Sequence, residues 1–127
     1  MNQLSAEQGD FLAEAQLALD DLGDGIVAEK QLSKRLNNPN NVSKGYLNIK
    51  SNANVEFCIE LTQAGYRVVG YHFDDNSQSS TTYYESLQAL LTHESRSYVD
   101  SFAKSLQQKL VAAQNKLQQE QDDDEDL

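Results

Sequence analysis

The chain has no tryptophan, one cysteine, one proline and one methionine among its 127 residues. A single cysteine cannot form an internal disulfide, so nothing in the sequence indicates an oxidising compartment. No stretch approaches the roughly 18 consecutive apolar residues that a membrane span requires. The first residues also lack the basic and apolar regions of a signal peptide. We therefore expect a cytoplasmic protein without a membrane segment.

Basic residues are scarce as well, because 10 Lys and Arg stand against 20 Asp and Glu. The net charge of −10 repels nucleic acids and anionic membranes, so a protein with a basic surface is the better partner. The apolar fraction of 39% is low, and we expect a partner or a second copy to cover part of the apolar surface. The length predicts one domain, residues 1–117, followed by a disordered acidic tail, residues 118–127.

The N-terminal part of the sequence has helical periodicity. Ser5 and Gln8 form a capping box at the start of a first helix, which is predicted to end near Asp21. A shorter second helix is predicted over residues 27–36, and the Asn- and Pro-rich residues 37–41 end it.

Two further helices are predicted near the C-terminus. Thr82 and Glu85 indicate the start of one, and Ser97 and Asp100 indicate the start of the other. The last helix carries the most regular apolar stripe of the chain: Val99, Phe102, Leu106, Leu110, Ala113 and Leu117. Spacings of three and four residues suit packing across a sheet or against the same helix of a second copy.

The β-branched and aromatic residues are concentrated in three runs, residues 46–50, 55–62 and 66–73. Apolar and polar residues alternate through the second run, which is typical of a strand with one solvent-exposed face. We therefore predict an α+β fold with N-terminal helices, a central three-stranded antiparallel meander at about 46–73, and C-terminal amphipathic helices. The alternative is a helix over residues 53–64 that ends at Gly65.

Cys58, His72 and His93 are the only nucleophile and bases that could form a catalytic set. No helix N-terminus or basic pocket is predicted beside Cys58 to lower its pKa. The two histidines are far apart in sequence, and no second cysteine is available for a zinc site. We expect a half-buried cysteine, two surface histidines, no enzymatic activity and no cofactor.

Residues 20–31 partly match a calcium-binding loop. Asp20, Asp24 and Gly25 occupy the expected positions, but Leu22 and Gln31 stand where two of the main ligands are required. A solvated turn is therefore the better interpretation, and we predict no metal site.

Residues 30–50 are basic and could form a helix-turn-helix that binds nucleic acid. Residues 31–36 would be the supporting helix and 42–49 the reading helix. The spacing between them fits poorly, and Tyr46 to Lys50 favours a strand. We prefer the interpretation that these basic residues balance the acidic first helix, and we keep the nucleic-acid binder as an alternative.

The function that the sequence favours is a non-enzymatic acidic protein that binds and modulates a basic-surfaced protein, as a regulator, inhibitor or nucleic-acid mimic. The last helix could also form a homodimer. Candidate contacts are acidic residues and tyrosines, since tyrosine is common at binding hot spots. They are Glu7, Asp10, Glu14, Asp20, Asp21, Tyr83, Tyr84, Asp122, Asp123, Asp124, Glu125 and Asp126.

In its size, its acidity and a beginning of helix followed by strands, the chain resembles type III secretion chaperones. The resemblance implies a small dimeric chaperone that holds an extended client, and we keep this function as an alternative. The chain departs from that family because no further pair of strands is predicted between its two C-terminal helices.

Overall fold

The computed structural model describes residues 9–125, with side chains as far as Gln118. Within that range it contains three helices and a four-stranded sheet, which confirms the α+β class and the placement of the sheet between helices. The elements are α1 Phe11–Asp21, β1 Glu29–Leu32, β2 Gly45–Lys50, β3 Glu56–Thr62, β4 Gly65–Gly70, α2 Leu87–Glu94 and α3 Arg96–Glu125.

The sheet is an antiparallel meander with the order β1-β2-β3-β4. The predicted meander is confirmed, and the alternative helix over residues 53–64 is wrong. The apolar side chains of Phe57, Ile59 and Leu61 in β3 pack on one face of the sheet, where a helix would have spread them around its axis. A bulge interrupts the pairing of β3 with β4 between Cys58 and Ile59. β4 ends at Gly70, three residues before the predicted end at Phe73.

The predicted second helix, residues 27–36, is wrong, and β1 takes its place. The amide of Ser33 donates to the carbonyl of Tyr46 at 3.0 Å, and the amide of Ala28 donates to Lys50 O at 2.8 Å. These bonds to β2 require an extended chain, so sheet pairing outweighs the local helical pattern. The sheet therefore has one strand more than the sequence predicted.

The main core lies between one face of the sheet and the helices. Asp10 caps α1, because its carboxylate accepts from the amide of Ala13 at 3.0 Å; the predicted start at Ser5 and Gln8 lies outside the described residues. α1 ends at Asp21, as predicted. From the N-terminal part of the chain, the buried core contains Ala15 and Leu19 of α1 and Leu22, which directly follows α1. The sheet and the last two helices contribute Leu47, Ile49, Phe57, Ile59, Leu61, Val68, Leu87, Leu90, Leu91 and Tyr98.

α2 begins at Leu87 and not at Thr82 as predicted. The hydroxyl of Ser86 caps it by accepting from the amide of Ala89 at 3.0 Å. The preceding residues are extended, because Tyr84 exchanges two backbone hydrogen bonds with Tyr66 of β4, at 2.7 and 2.8 Å. The capping pattern at residue 82 therefore lies in a segment that covers the edge of the sheet.

The second face of the sheet is covered by loops and carries polar groups. Glu60 of β3 is only 4% exposed, and Asn48 and Cys58 beside it are fully buried. The hydroxyl of Tyr46 donates to one carboxylate oxygen of Glu60 at 2.9 Å, and Nε of Arg67 donates to the other at 2.9 Å. The prediction of a solvent-exposed face on β3 is wrong, because Cys58 and Glu60 are buried and Glu60 is paired with side chains of the neighbouring strands β2 and β4.

Asp74 fixes the loop that covers this face. Its backbone has φ of 61°, a conformation that aspartate tolerates better than most residues. Its carboxylate accepts from the hydroxyl of Ser33 at 2.6 Å and from Nδ2 of Asn48 at 2.9 Å, and its amide donates to Oδ1 of Asn48 at 3.0 Å. The hydrogen bonds from Ser33 and Asn48 hold the pKa of Asp74 below its ordinary value.

We expect Asp74→Asn to lower the free energy of unfolding at neutral pH by about 1–3 kcal/mol, because bonds to a charged acceptor are weakened. A lowered pKa in the folded protein stabilises it above the unfolded pKa, and this stabilisation is lost as the pH falls through the folded pKa. The difference between the variant and the wild type should therefore shrink in acid. Urea unfolding measured across the acidic range checks this, with Asp24→Asn in an exposed loop as the control. A difference that does not change with pH would contradict it.

Candidate functional site

The first two turns of α3 are attached to the body of the protein. Ser95 caps the helix by accepting from the amide of Tyr98 at 3.1 Å, and the ring of Tyr98 is buried. Asn52, in the turn between β2 and β3, donates through Nδ2 to the hydroxyl of Ser101 at 2.8 Å and to the carbonyl of Gly25 at 2.9 Å. The direction in which α3 leaves the body is fixed by these contacts.

Beyond this attachment, every residue of α3 from Leu106 to Gln118 is exposed. The residues of the predicted apolar stripe share one side of the helix, and at a rise of about 1.5 Å per residue they extend over about 27 Å. We call this surface the α3 stripe; it comprises Val99, Phe102, Leu106, Leu110, Ala113 and Leu117. Phe102 is 49% exposed and Leu110 57% exposed, so in this monomer the stripe faces solvent and does not pack across the sheet.

The charge beside the α3 stripe differs in sign from that of the whole chain. Residues 101–118 contain three lysines, Lys104, Lys109 and Lys116, and no Asp or Glu. The projecting part of the helix is therefore basic and apolar on a protein whose net charge is −10.

A groove of about 260 Å³ lies at the base of the stripe. Its lining includes Phe102, Leu106 and Lys109 of α3, together with Asp21 at the end of α1 and Asp24 in the loop that follows. The ring of Phe102 is stacked on that of Tyr98, with 6.1 Å between the centroids. An apolar side chain of a partner could enter here beside two carboxylates.

The acidic residues predicted as contacts lie in two places. Asp10, Glu14, Asp20 and Asp21 are exposed at or on α1. Glu14 and Asp21 also line a shallow depression of about 230 Å³ together with Tyr66 and Glu85. Burial raises the pKa of Tyr66, and the negative charges of Glu14 and Asp21 raise it further.

The other predicted acidic contacts belong to the C-terminus or to the first residues. Glu7 and Asp126 lie outside the described residues. Asp122, Asp123, Asp124 and Glu125 belong to the end of α3, where side chains are not described. The backbone of the helix continues through Glu125, into the segment for which the sequence predicts a disordered tail.

The two predicted tyrosines are used within the fold. The guanidinium of Arg67 lies over the ring of Tyr83, 5.1 Å from its centroid. The ring of Tyr84 is 5.4 Å from that of His93, and its hydroxyl donates to Glu94 at 3.2 Å. Tyr83 is still 41% exposed, so it remains available to a partner.

The structure does not assemble a catalytic set around Cys58. Its side chain is fully buried, and burial raises the pKa of the thiol to about 11. The nucleophilic thiolate is therefore strongly disfavoured at neutral pH. His72 and His93 are exposed. Among the side chains that the structure describes, which extend to Gln118, no three His, Cys, Asp or Glu are grouped so that they could hold a metal ion.

The helix-turn-helix alternative for residues 30–50 is wrong. Most of the predicted reading helix, residues 42–49, forms the strand β2, and the predicted supporting helix, residues 31–36, overlaps the strand β1. The calcium-like residues 20–31 cover the end of α1, a loop and the start of β1. In the described part of the chain, no helix is apolar over a length that could cross a bilayer.

Comparisons with known proteins find one family model and several relatives. A family model described as the GSKIP domain matches residues 11–113. The GSK3B-interacting protein of Mus musculus is 32% identical over 108 residues, which cover 84% of this chain and 76% of the relative. The GSK3-beta interaction protein of Danio rerio is 30% identical over 105 residues, 82% of this chain and 77% of the relative. The GSK3B-interacting protein of Bos taurus is 40% identical over 68 residues, 53% of this chain and 49% of the relative.

The match thus spans about half the length of the bovine relative and about three quarters of the mouse relative. The names of these relatives describe proteins that interact with another protein. They agree at this coarse level with the predicted binding function, and they do not test a basic partner surface or a homodimer.

Proposed function

The chain belongs to the GSKIP domain family, and from that premise we propose that it binds GSK3-beta, or the equivalent protein of its own organism, and modulates it without being an enzyme. The α3 stripe is the proposed contact surface. The observation that carries the proposal is the exposure of the stripe along a helix that projects from a well-packed body.

The shape of the stripe indicates how it would bind. An amphipathic helix that lays spaced apolar residues into a groove is a common recognition mode, and its anchors recur every three or four residues. Full burial of a Leu or Phe side chain contributes about 1.5–3 kcal/mol. The large side chains Phe102, Leu106, Leu110 and Leu117 could therefore provide most of the affinity, and the attachment at Tyr98 and Ser101 holds the base of the helix in one orientation.

We propose that the acidic residues contribute the second part of the surface. Asp21 and Asp24 border the groove at the base of the stripe, so a basic side chain of the partner would meet them when the stripe is buried. Lys109 and Lys116 flank the stripe and would face the partner along the projecting part of the helix, whereas Lys104 lies on the opposite side with Gln108. The cytoplasmic location and a contact through Asp122 to Asp126 remain sequence-based proposals.

Leu110→Ser tests the stripe. We expect it to weaken binding to purified GSK3-beta at least about tenfold, because a tenfold change corresponds to about 1.4 kcal/mol and the loss of a buried leucine exceeds that. The melting temperature should fall no further than it does when another exposed residue of α3 is changed to serine, since Leu110 is 57% exposed and is in neither buried core cluster. Isothermal titration calorimetry and a thermal melt provide the two readouts.

The matched control is Gln108→Ser, an exposed residue on the opposite side of the same helix. It should bind as the wild type does. Equal loss in both variants would indicate an effect on helix stability and not on the stripe. Unchanged affinity in Leu110→Ser would remove the stripe from the contact surface. The same titration at low and high salt measures whether charged groups take part.

A dimer is the second candidate use of the stripe, because the spacings between its residues also suit pairing of two helices. We propose it as the alternative in which the protein acts as a dimeric chaperone. Light scattering separates the two functions, since a monomer at the concentrations used for titration excludes the dimer. If the wild type is a dimer and Leu110→Ser is a monomer, the dimeric chaperone is the favoured function.

A further inference from the structure

The two edges of the sheet differ. Residues 78–84 cover the edge at β4: the amide of Gln78 donates to Val69 O at 2.9 Å, and the amide of Ser80 donates to Val68 O at 2.8 Å. Tyr84 continues this pairing with Tyr66. Within residues 9–125, no segment pairs in this way with the outer edge of β1.

The register shows which groups of β1 face outward. In an antiparallel pair, alternate residues of a strand exchange hydrogen bonds with the neighbouring strand. Because the amide of Ser33 donates to Tyr46 O, Gln31 also faces β2, and the amides and carbonyls of Lys30 and Leu32 face away. The outer edge thus offers donors and acceptors at the spacing of a further strand.

A groove runs beside this edge. It has a volume of about 600 Å³ and lies between α1 and β1. Its apolar side chains are Leu12, Leu19, Leu32 and Pro39. An additional strand would place alternate side chains against the half-buried Leu12 and Leu32, since Leu32 packs against the main core and points to the same face of the sheet as α1.

Lysine on an edge strand normally hinders pairing with another chain. Here Nζ of Lys30 donates to the carbonyls of Leu19 and Leu22, each at 2.8 Å. The ammonium group is thereby turned onto the C-terminal end of α1, where a positive charge is favoured, and it does not project from the strand. The usual protection is absent from the middle of this edge.

Besides Lys30, two charged side chains line the groove: Asp20 belongs to α1, and Lys34 follows the end of β1. Lys34 is exposed and lines the groove. The described part of the chain has two ion pairs, Arg67 with Glu60 and Arg96 with Asp100, and Lys34 belongs to neither. Arg35, the next residue, is exposed as well. We propose that the β1 edge binds an extended segment of a partner protein by strand addition, with apolar side chains at alternate positions facing α1 and an acidic residue beside Lys34.

This site is separate from the α3 stripe and does not depend on the proposed binding of GSK3-beta. Strand addition derives its affinity from main-chain hydrogen bonds and its specificity from alternate side chains. The occupant is therefore recognised by its extended conformation and its acidic end.

The test uses three short synthetic peptides in which valine and threonine alternate. One ends in glutamates, the second has the same sequence with alternate backbone nitrogens methylated, and the third ends in lysines. We expect the acidic peptide to slow hydrogen exchange of the Lys30 and Leu32 amides at least about tenfold, measured by NMR. The methylated peptide should not bind, and the lysine peptide should bind about fivefold more weakly.

Lys34→Glu should weaken binding of the acidic peptide about fivefold, whereas Lys116→Glu, on the projecting part of α3, should leave it unchanged. The proposal is overturned if the acidic peptide does not bind up to its solubility limit, if methylation has no effect, or if the protected amides lie outside β1. It is also overturned if the Lys30 and Leu32 amides are already protected in the free protein, because the edge would then not be open to a partner. Protection that grows with protein concentration would assign the edge to a second copy.

Discussion

Glu60→Ala is expected to lower the free energy of unfolding by about 3 kcal/mol, the lower end of the range for a buried ion pair, because Glu60 is buried and the Arg67 side chain that loses its partner is 23% exposed. The carboxylate of Glu60 accepts from Arg67 and from Tyr46 at 2.9 Å each. Burial raises the pKa of Tyr46 to about 12, and the hydrogen bond and charge of Glu60 contribute to that rise. Equilibrium denaturation by urea, followed by circular dichroism, measures the loss.

Tyr46→Phe is the matched control for this prediction. It removes one hydroxyl and one hydrogen bond, keeps the ring in place, and should cost about 1 kcal/mol. A double-mutant cycle with Arg67→Met isolates the coupling between Arg67 and Glu60. If Glu60→Ala cost no more than Tyr46→Phe, the ion pair would not contribute to stability.

Gly70→Ala is expected to destabilise the protein by about 3 kcal/mol, the upper part of the range for overpacking. A Cβ atom at this position would overlap the carbonyl oxygen of Asp75. The obstacle is backbone and cannot turn aside as a side chain would, so the loop that Asp74 anchors must move away from the sheet. Chemical denaturation gives the stability, and hydrogen exchange of the Asp74 amide reports whether the loop is released.

Gly23→Ala is the control, because the nearest atom to its new Cβ is Cγ1 of Ile26 at 3.3 Å, in a side chain that can shift. Its stability should stay within about 0.5 kcal/mol of the wild type, as for most surface substitutions. A result for Gly70→Ala as mild as this would show that the covering loop adapts at little cost.

The sequence predicted the three consecutive strands because β-branched and aromatic residues are concentrated there. It failed at β1, since the apolar residues near Leu32 fit a short helix as well as a short strand. The choice between them depends on pairing with residues 45–50, which no local pattern contains. Strand boundaries shifted for a similar reason, because Gly70 ends β4 where the backbone of Asp75 approaches it.

The covered second face could not have been predicted from periodicity. The sequence pattern in which Cys58 and Glu60 alternate with apolar residues is the same whether that face of the strand is exposed to solvent or covered by a loop. What distinguishes them is Asp74, whose partners Asn48 and Ser33 lie 26 and 41 residues away. The α3 stripe was visible in the sequence for the opposite reason, because helical spacing is local. Its exposure was not visible, since a stripe has the same spacing whether it is covered or open.

The coverage of β4 by residues 78–84 has a consequence for assembly. A sheet that is open on both sides can add copies in either direction without limit, as fibres do. Here the molecule has closed one side with its own chain, so any sheet-to-sheet association through β1 ends at a symmetrical pair. The β1 edge can thus be used for recognition without open-ended growth of the sheet.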